Sequence, residues 1–250
     1  MDRRLVTIGI SHYCEKARWA LERARLPFHE ERHPPVFHVV VAKRLGGGRS
    51  TPVLVSSAGT FPDSTEILQQ VDKECAAELR LYPEEPELRN QVEQLEDRLD
   101  ADLGPATRRL AYYHLLDHPL TYPLLVVGVG RMERAFFRPL FPLCRRMMKR
   151  LLNINTAGAE RSRAKIDELF EQVGQRLSDG RSYLAGDRFS AADLTFAALS
   201  VPLLFPPEYP FPMPPLDALP VAFQNEVARY RATLAGEFAL RIYAEQRLDP

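Results

Sequence analysis

The sequence is poor in cysteine, has no excess charge of either sign and contains no internal repeat. Its 250 residues include only three cysteines, Cys14, Cys75 and Cys144, which lie far apart. So sparse and odd a set does not form a disulfide framework, and it favours a reducing compartment. Basic and acidic residues number 33 each, so no global charge draws the chain to nucleic acid or to acidic lipid.

Long apolar runs are also missing. The longest, Leu124–Val129, is far shorter than the ~20 residues that a membrane-spanning helix needs. Another apolar run follows Met1–Arg4 but stops at Ser11, and it predicts a buried strand rather than a signal peptide. We therefore expect a cytoplasmic protein with no membrane span and no nucleic-acid partner.

Motifs for metal or phosphate are weak. His114 and His118 are four residues apart, as on one helix face, but no further ligand lies near them in the sequence. The loop Gly46–Gly48 lacks the spacing of a phosphate-binding loop. We expect solvated histidines, a flexible loop and no metal cofactor.

The composition is that of a globular protein of one or two domains, with 45% hydrophobic and 26% charged residues. The first 77 residues predict the order βαβαββα, in which a helix long enough for a parallel crossover separates the first two strands. In the first helix Cys14, Ala17 and Leu21 form an apolar stripe, whereas Glu15 and Lys16 lie outside it. The predicted strands are 3–10, 28–32, 53–55 and 60–61, and the predicted helices are 13–25, 36–45 and 64–77.

Beyond a linker at 82–87 the pattern is almost entirely helical. The bulky stretch 122–152 predicts a long helix or a pair of helices, broken near Pro139 and Pro142. Eight prolines between 202 and 220 exclude regular structure there. Further helices are predicted at 92–103, 166–177, 189–204 and 218–235.

Ser11 stands where the predicted first strand turns into the predicted first helix. A helix start offers unpaired N–H groups and the positive end of the helix dipole, which stabilises an anion by ~0.3–1 kcal/mol, up to ~2 in favourable sites. A hydroxyl that donates to a charged partner adds ~1.5–3 kcal/mol. Ser11 is therefore suited to hold the thiolate of a ligand, and the alternative is a simple helix N-cap.

Two further motifs offer polar groups to a ligand. A cis peptide bond at Thr51–Pro52 would expose the N–H and C=O of Thr51 to an extended peptide. Asp63 and Ser64 open the predicted third helix, where the serine and free N–H groups suit a carboxylate and Asp63 suits an ammonium. Helix capping alone would also explain this pair.

Together, in this order within βαβαββα, the three motifs resemble the glutathione transferase superfamily. The resemblance implies an α+β protein, with a thioredoxin-like, glutathione-binding domain at 1–78, a linker at 79–88 and an all-helical domain at 89–250 that contributes the second-substrate pocket. It also implies a cytoplasmic homodimer that acts on glutathione and on a small electrophilic or apolar molecule.

The resemblance assigns roles to individual residues. Ser11 takes the place of the serine that stabilises the glutathione thiolate. Thr51 and Pro52 match the cis-proline element that pairs with the cysteinyl backbone of glutathione. Asp63 and Ser64 match the pair that binds its γ-glutamyl group. For the glycyl carboxylate the candidates are Arg49 and Lys43.

Cys14 departs from this pattern. It occupies the position of the resolving cysteine in the active-site tetrad that begins at Ser11, but no first cysteine stands beside it. Cys14 either packs on the inner face of its helix or is a reactive thiol at a positive helix end. A reactive thiol would make the protein a glutathione-dependent thiol-disulfide oxidoreductase. A binding protein of this fold without turnover is the third alternative.

The second half agrees with the resemblance. Residues 183–194 are similar to the family's signature before its central buried helix, and Ser190 and Asp193 there form an S-x-x-D capping box. For the basic stretch 131–165, we favour pairing with an acidic helix, in one subunit or across a dimer, over nucleic acid or a membrane. Four aromatic residues either line the second-substrate pocket or pack in the core: Tyr112, Tyr113, Phe136 and Phe137.

Overall fold

The computed structural model describes residues 3–247. By its internal contacts the chain divides into two units. One contains the chain up to residue 80 together with 119–147, and the other contains 81–118 together with the chain from 148 onward. The predicted domain boundaries at 78 and 88 stay predictions, and the structure adds that 119–147 belongs with the first unit.

The first unit is built on a four-stranded sheet with the strand order β2-β1-β3-β4. The central strand β1 runs parallel to β2 and antiparallel to β3, with Leu5 opposite Glu30 on one side and Leu54 on the other. β3 and β4 form an antiparallel hairpin. The strands are β1 (Arg4–Thr7), β2 (His29–Arg32), β3 (Val53–Ser56) and β4 (Gly59–Phe61).

Helices connect and cover these strands and make up most of the second unit. In chain order they are α1 (His12–Arg23), α2 (Phe37–Arg44), α3 (Ser64–Glu74), α4 (Pro86–Arg98), α5 (Gly104–Leu115), α6 (Thr121–Leu125), α7 (Arg131–Leu151), α8 (Thr156–Leu177), α9 (Ala191–Leu204), α10 (Val221–Arg231) and α11 (Leu234–Gln246). A π-helical turn, Leu99–Leu103, joins α4 to α5. Short 3₁₀ turns span Ala77–Leu79 and Leu216–Ala218. The predicted order βαβαββα and the α+β class are confirmed.

Strand alternation determines which helix covers which side of the sheet. Val6 and Val53 pack against Ala42 of α2 in one fully buried cluster. Because successive side chains of a strand point to opposite faces, Leu5 and Leu54 point to the other side. There α1 and α3 pack against each other, and α3 also contacts β3 and β4. α1 and α3 therefore form one helical layer on this side of the sheet, and their packing fixes where each helix starts.

A buried ionic cluster holds the turn between β1 and α1. The guanidinium of Arg18 donates to Glu15, to Glu30 at 2.7 Å and to the carbonyl oxygen of Gly9 at 3.2 Å. Glu30 also accepts from Thr7 at 2.7 Å and from Arg32 at 2.7 Å. These bonds tie the first helix to β1, to β2 and to the turn itself.

Burial of these charges differs from the sequence prediction. The prediction placed Glu15 and Lys16 outside the apolar stripe of the first helix, but both are 0% exposed. Arg18 is only 2% exposed. Charged side chains are buried like this when they are paired and hydrogen-bonded, and here the partners come from β1, β2 and α3.

The stretch 122–152 contains a correction. The chain does break there, but not at the prolines, because α7 runs continuously through Pro139 and Pro142. The two carbonyls that lose a helical partner belong to Ala135 and Arg138. Both residues are exposed, so water can donate a hydrogen bond to each carbonyl instead. The break falls instead between α6 and α7, where Gly128 has a φ of +69° that favours glycine.

The segment 119–147 packs onto the turn that precedes α1. A Cβ atom on Gly9 would lie 2.8 Å from the carbonyl oxygen of Val127, so only glycine allows this approach. His33 Nδ1 lies 2.9 Å from a carboxylate oxygen of Glu133. These contacts attach the segment to both ends of the β1–α1–β2 unit.

The second unit has one almost completely buried helix at its centre. In α9 every residue except Pro202 is buried, and α4, α5, α10 and α11 pack against it. Its N-terminus carries the predicted capping box, in which Asp193 accepts from the N–H and the hydroxyl of Ser190 at 2.8 and 2.7 Å. Asp193 also accepts from the N–H of Leu184 at 2.7 Å. This carboxylate thereby fixes the preceding loop to the start of the core helix.

The last predicted helix, 218–235, is wrong as a single element. The structure has two helices there, and the chain turns at Ala232 and Thr233. The side chain of Thr233 accepts from the N–H of Gly236 at 3.0 Å and so caps the second helix. In the part of the chain from 3 to 247, no helix is both long and apolar enough to cross a membrane.

We predict that Asp193→Ala destabilises the protein by about 3 kcal/mol, because buried N–H groups of Leu184 and Ser190 lose their acceptor. Urea titrations followed by circular dichroism measure the loss. Asp187→Ala, in the exposed part of the same loop, is the control and is expected to change the free energy of unfolding by less than about 0.5 kcal/mol. Equal effects of the two substitutions would contradict the role of Asp193.

Glu30 predicts a pH dependence of stability. Burial opposes its ionisation, but the hydrogen bonds and the charge of Arg18, with bonds from Arg32 and Thr7, outweigh burial and hold its pKa at about 2 rather than 4.5. A carboxyl with a depressed folded-state pKa stabilises the fold above its unfolded pKa and loses this contribution as the pH falls towards 2.

Between about pH 5 and about pH 2, the free energy of unfolding is therefore expected to fall by about 3 kcal/mol more in the native protein than in Glu30→Gln. Urea titrations across this pH range measure the difference. Glu160→Gln, at an exposed position, serves as the control and is expected to keep the native pH dependence. A Glu30→Gln protein with the native slope would show that the cluster does not hold this carboxylate ionised.

Candidate active site

Ser11 stands at the N-terminus of α1, as the sequence predicts, but its hydroxyl does not cap the helix. Its N–H donates to the carbonyl oxygen of Ile8 at 2.9 Å, which closes the turn after β1. Its hydroxyl instead bonds the thiol of Cys14. The alternative in which Ser11 serves only as an N-cap therefore lacks its defining hydrogen bond, and the hydroxyl lies at the positive end of the helix with a sulfur as its partner.

Cys14 lies one turn into α1 and is 0% exposed. Burial raises the pKa of its thiol, and hydrogen bonds with Ser11, Ile8 and Thr51 only partly oppose this shift. A buried thiol with a raised pKa is a poor nucleophile at neutral pH, because the thiolate is the reactive form. The geometry therefore favours the alternative in which Cys14 packs on the inner face of its helix.

Thr51 and Pro52 lie immediately before β3, and the peptide bond between them is cis. Pro52 is buried, whereas Thr51 is half-buried and its side chain reaches Cys14. The first two predicted motifs, Ser11 and Thr51, are thus brought together around one sulfur atom.

Asp63 and Ser64 open α3, the second helix start of the site. The Asp63 carboxylate accepts from the N–H of Thr65 at 2.8 Å and so caps the helix, while its side chain stays exposed. The buried Lys16 of α1 donates from Nζ to the hydroxyl of Thr65 at 3.0 Å. This bond links the start of α3 to α1, so the third motif belongs to the same helical layer as Ser11.

Lys43 and Arg49 lie apart from this cluster. Both are exposed, and within residues 3–247 neither side chain has a hydrogen bond or an ion pair. The backbone of Arg49 bonds the ring of His38. The structure therefore leaves both cations accessible at the α2 end of the unit and does not choose between them.

Sequence reasoning missed the residues beneath the site. Arg18, Glu30 and Lys16 fix the turn and the two helix starts, and of these three the sequence pattern placed only Lys16, outside the apolar stripe. The sequence did contain one indication of this network. Glu15 and Arg18 are three residues apart on a helix, and Glu30 and Arg32 are two residues apart on a strand, so that each pair lies on one face. Oppositely charged pairs with such spacings are compatible with one buried network.

The aromatic candidates and the histidine pair of the sequence analysis lie outside this cluster. Phe137 is fully buried and its ring lies 6.2 Å from that of Phe37, whereas its neighbour Phe136 is 63% exposed. These two side chains therefore face different ways. His114 is half-buried and stacks on Phe223 rather than being solvated. Between residues 3 and 247 no group of three or more potential metal ligands occurs.

The comparisons with known proteins agree with this geometry. A family model for the glutathione S-transferase N-terminal domain matches residues 5–78, and one for the glutathione S-transferase C-terminal domain matches 156–210. No curated protein matches the sequence.

Solved structures of low identity share the fold over nearly the whole chain. A glutathione S-transferase from Rhodospirillum rubrum is 20% identical, with coverage of 98% of this chain and 100% of that one at a TM-score of 0.58. One from Methylobacterium radiotolerans, in complex with glutathione sulfonate, is 19% identical, with coverage of 96% of this chain and 95% of that one at a TM-score of 0.56. One from Sinorhizobium meliloti is 17% identical, with coverage of 99% of this chain and 100% of that one at a TM-score of 0.60.

The fold, the order of the motifs and the two matched domains lead to one assignment. The site lies in the part of the chain that matches the N-terminal domain, and the capping box at Ser190 lies in the part that matches the C-terminal domain. The resemblance inferred from the motifs is confirmed at the level of the superfamily, without a class. The chain belongs to the glutathione transferase superfamily.

Proposed function

We propose that the protein is a glutathione transferase in which Ser11 stabilises the glutathione thiolate for attack on an electrophilic carbon. The observation that carries this proposal is the Ser11 hydroxyl, which lies at the start of α1, is only half-buried and is not used as a helix cap. A free thiol has a pKa of ~8.5, so a helix end and a donated hydrogen bond can bring much of it to the thiolate at neutral pH.

The rest of the tripeptide would follow the other motifs. In this arrangement the main chain of Thr51 pairs with the cysteinyl residue of glutathione. Asp63 takes the γ-glutamyl ammonium, and Ser64 with the N–H groups at the start of α3 takes the adjacent carboxylate. Lys43 or Arg49 meets the glycyl carboxylate. The solved relative from Methylobacterium radiotolerans, which holds glutathione sulfonate, supports this class of ligand.

Catalysis would come from thiolate stabilisation and proximity rather than from a protein-bound covalent intermediate. The thiolate sulfur forms the new bond to carbon. The electron pair of the bond that breaks goes to the departing halide of an aryl halide, to the ring oxygen of an epoxide or to the nitrogen of an isothiocyanate, and the last two then take a proton from water. The co-substrate is a small electrophilic, apolar molecule. We also propose a cytoplasmic location, which the three free cysteines support, and a homodimer, which light scattering would test.

The oxidoreductase alternative has less support, since it requires Cys14 to meet a disulfide. Cys14 is 0% exposed and its pKa is raised by burial. A binding protein without turnover differs from a transferase only in the chemical step. Turnover of glutathione with a panel of aryl halides, isothiocyanates and epoxides distinguishes the two.

We predict that Ser11→Ala lowers kcat/KM for conjugation by about 10²- to 10³-fold, because the thiolate loses a directed donor. The dissociation constant for glutathione, measured by calorimetry, is expected to change by less than about threefold. Cys14→Ala is the matched control and is expected to retain most of the activity. Loss of activity in Cys14→Ala alone would instead identify the oxidoreductase.

We predict that Asp63→Asn raises KM for glutathione about tenfold with little change in kcat, since the amide still caps α3 but no longer attracts an ammonium. Steady-state kinetics with glutathione as the varied substrate measure both constants. Glu66→Gln removes an exposed carboxylate from the same first turn and is expected to change neither. Equal effects of the two substitutions would reduce the role of Asp63 to general electrostatics.

A further inference from the structure

Helix α7 exposes a continuous apolar stripe. The side chains of this stripe are each between 41% and 75% exposed. On another face of the helix, Phe137, Cys144 and Met148 are buried and attach the helix to the protein. The spacing of the stripe, four or three residues at each step, keeps its members within about 100° of arc over a length of about 28 Å. The stripe consists of Met132, Phe136, Leu140, Leu143, Met147 and Leu151.

The same helix is strongly basic, although the chain as a whole is neutral. It holds seven arginines and lysines and one acidic residue, Glu133, which is already bonded to His33. Arg146 and Arg150 border the stripe, as their helical spacing requires. Both are exposed, and within residues 3–247 they have no ion pair, as is also true of Arg131 and Arg138.

Two soluble occupants of this stripe fit poorly. In a second copy of α7, paired stripe to stripe, Arg146 and Arg150 would border the contact without a carboxylate of the facing helix to neutralise them, because the one acidic residue of each helix is already bonded to His33. The acidic stretch 84–102 offers complementary charge, but none of its large apolar side chains is exposed. It cannot bury the six apolar residues of the stripe.

From this combination we infer that α7 docks the protein on an anionic lipid surface. A helix that is apolar on one side and basic beside it lies in the plane of the membrane interface, with the apolar side chains among the acyl chains and the cations at the headgroups. The long arginine side chains can reach the headgroups while their stems cover apolar surface. α7 lies outside both family-matched ranges and contains none of the residues of the proposed glutathione site.

Flotation of the purified full-length protein with lipid vesicles tests the inference. We expect the protein to bind phosphatidylcholine vesicles that contain about 30% phosphatidylglycerol at least about tenfold more tightly than pure phosphatidylcholine vesicles. Salt at about 0.5 M is expected to weaken this binding, because it screens the arginines. Absence of binding to the anionic vesicles, or equal binding to both, would overturn the inference.

Variants separate the stripe from the charge. Met132→Glu with Leu143→Glu is expected to lower binding to anionic vesicles at least about tenfold, as is Arg146→Gln with Arg150→Gln. Val221→Glu, at a 72% exposed position on α10, is the control and is expected to bind as the native protein does. Native binding by either double variant would contradict the inference.

Two further measurements complete the test. Thermal unfolding checks the fold, and if the glutamates change its midpoint, Leu143→Ser with Leu151→Ser tests the stripe without added charge. Light scattering identifies the competing occupant: a native dimer that becomes a monomer in the stripe variants, without vesicle binding, would assign this face to a second copy. Because vesicle binding needs no glutathione, its failure is distinct from a failure of the proposed transferase activity.

Discussion

The candidate site depends on one buried guanidinium. Arg18 is almost fully buried and must be neutralised, and it achieves this with Glu15 on its own helix and Glu30 on the neighbouring strand. A further bond, to the carbonyl oxygen of Gly9, holds the turn that ends at Ser11. The position of the serine hydroxyl therefore follows from an electrostatic requirement deeper in the fold, and the residues that touch a ligand are only the outer part of the network.

A neutral composition conceals how charge is arranged in this protein. One set of charged side chains is paired beneath the first helix, where it fixes the position of the turn between β1 and α1. Another is concentrated on α7 and remains exposed beside apolar side chains. The first set supports the chemistry that we propose for the N-terminal unit, and the second supports an attachment surface on the same chain.

Sequence periodicity predicted most elements of the first unit because β1 and β3 are short and rich in β-branched residues and its helices have apolar stripes. It predicted the two helix starts at Ser11 and Asp63 for the same reason. It could not predict the burial of Glu15, Lys16 and Arg18, which depends on partners brought from other elements. It also misplaced the break before α7. The helix continues through Pro139 and Pro142, where the carbonyls that lose a partner are exposed to water, and the chain turns instead at Gly128, whose positive φ favours glycine.

The packing of 119–147 against the β1–α1 turn and β2 of the first unit has a consequence for biogenesis. The N-terminal unit is assembled from two stretches of chain that are separated by α4 and α5. During synthesis the sheet emerges first, but the surface around Gly9 and His33 stays uncovered until Val127 and Glu133 leave the ribosome. The two units therefore complete their folding in an overlapping order rather than one after the other, which links maturation of the site to translation of more than half of the chain.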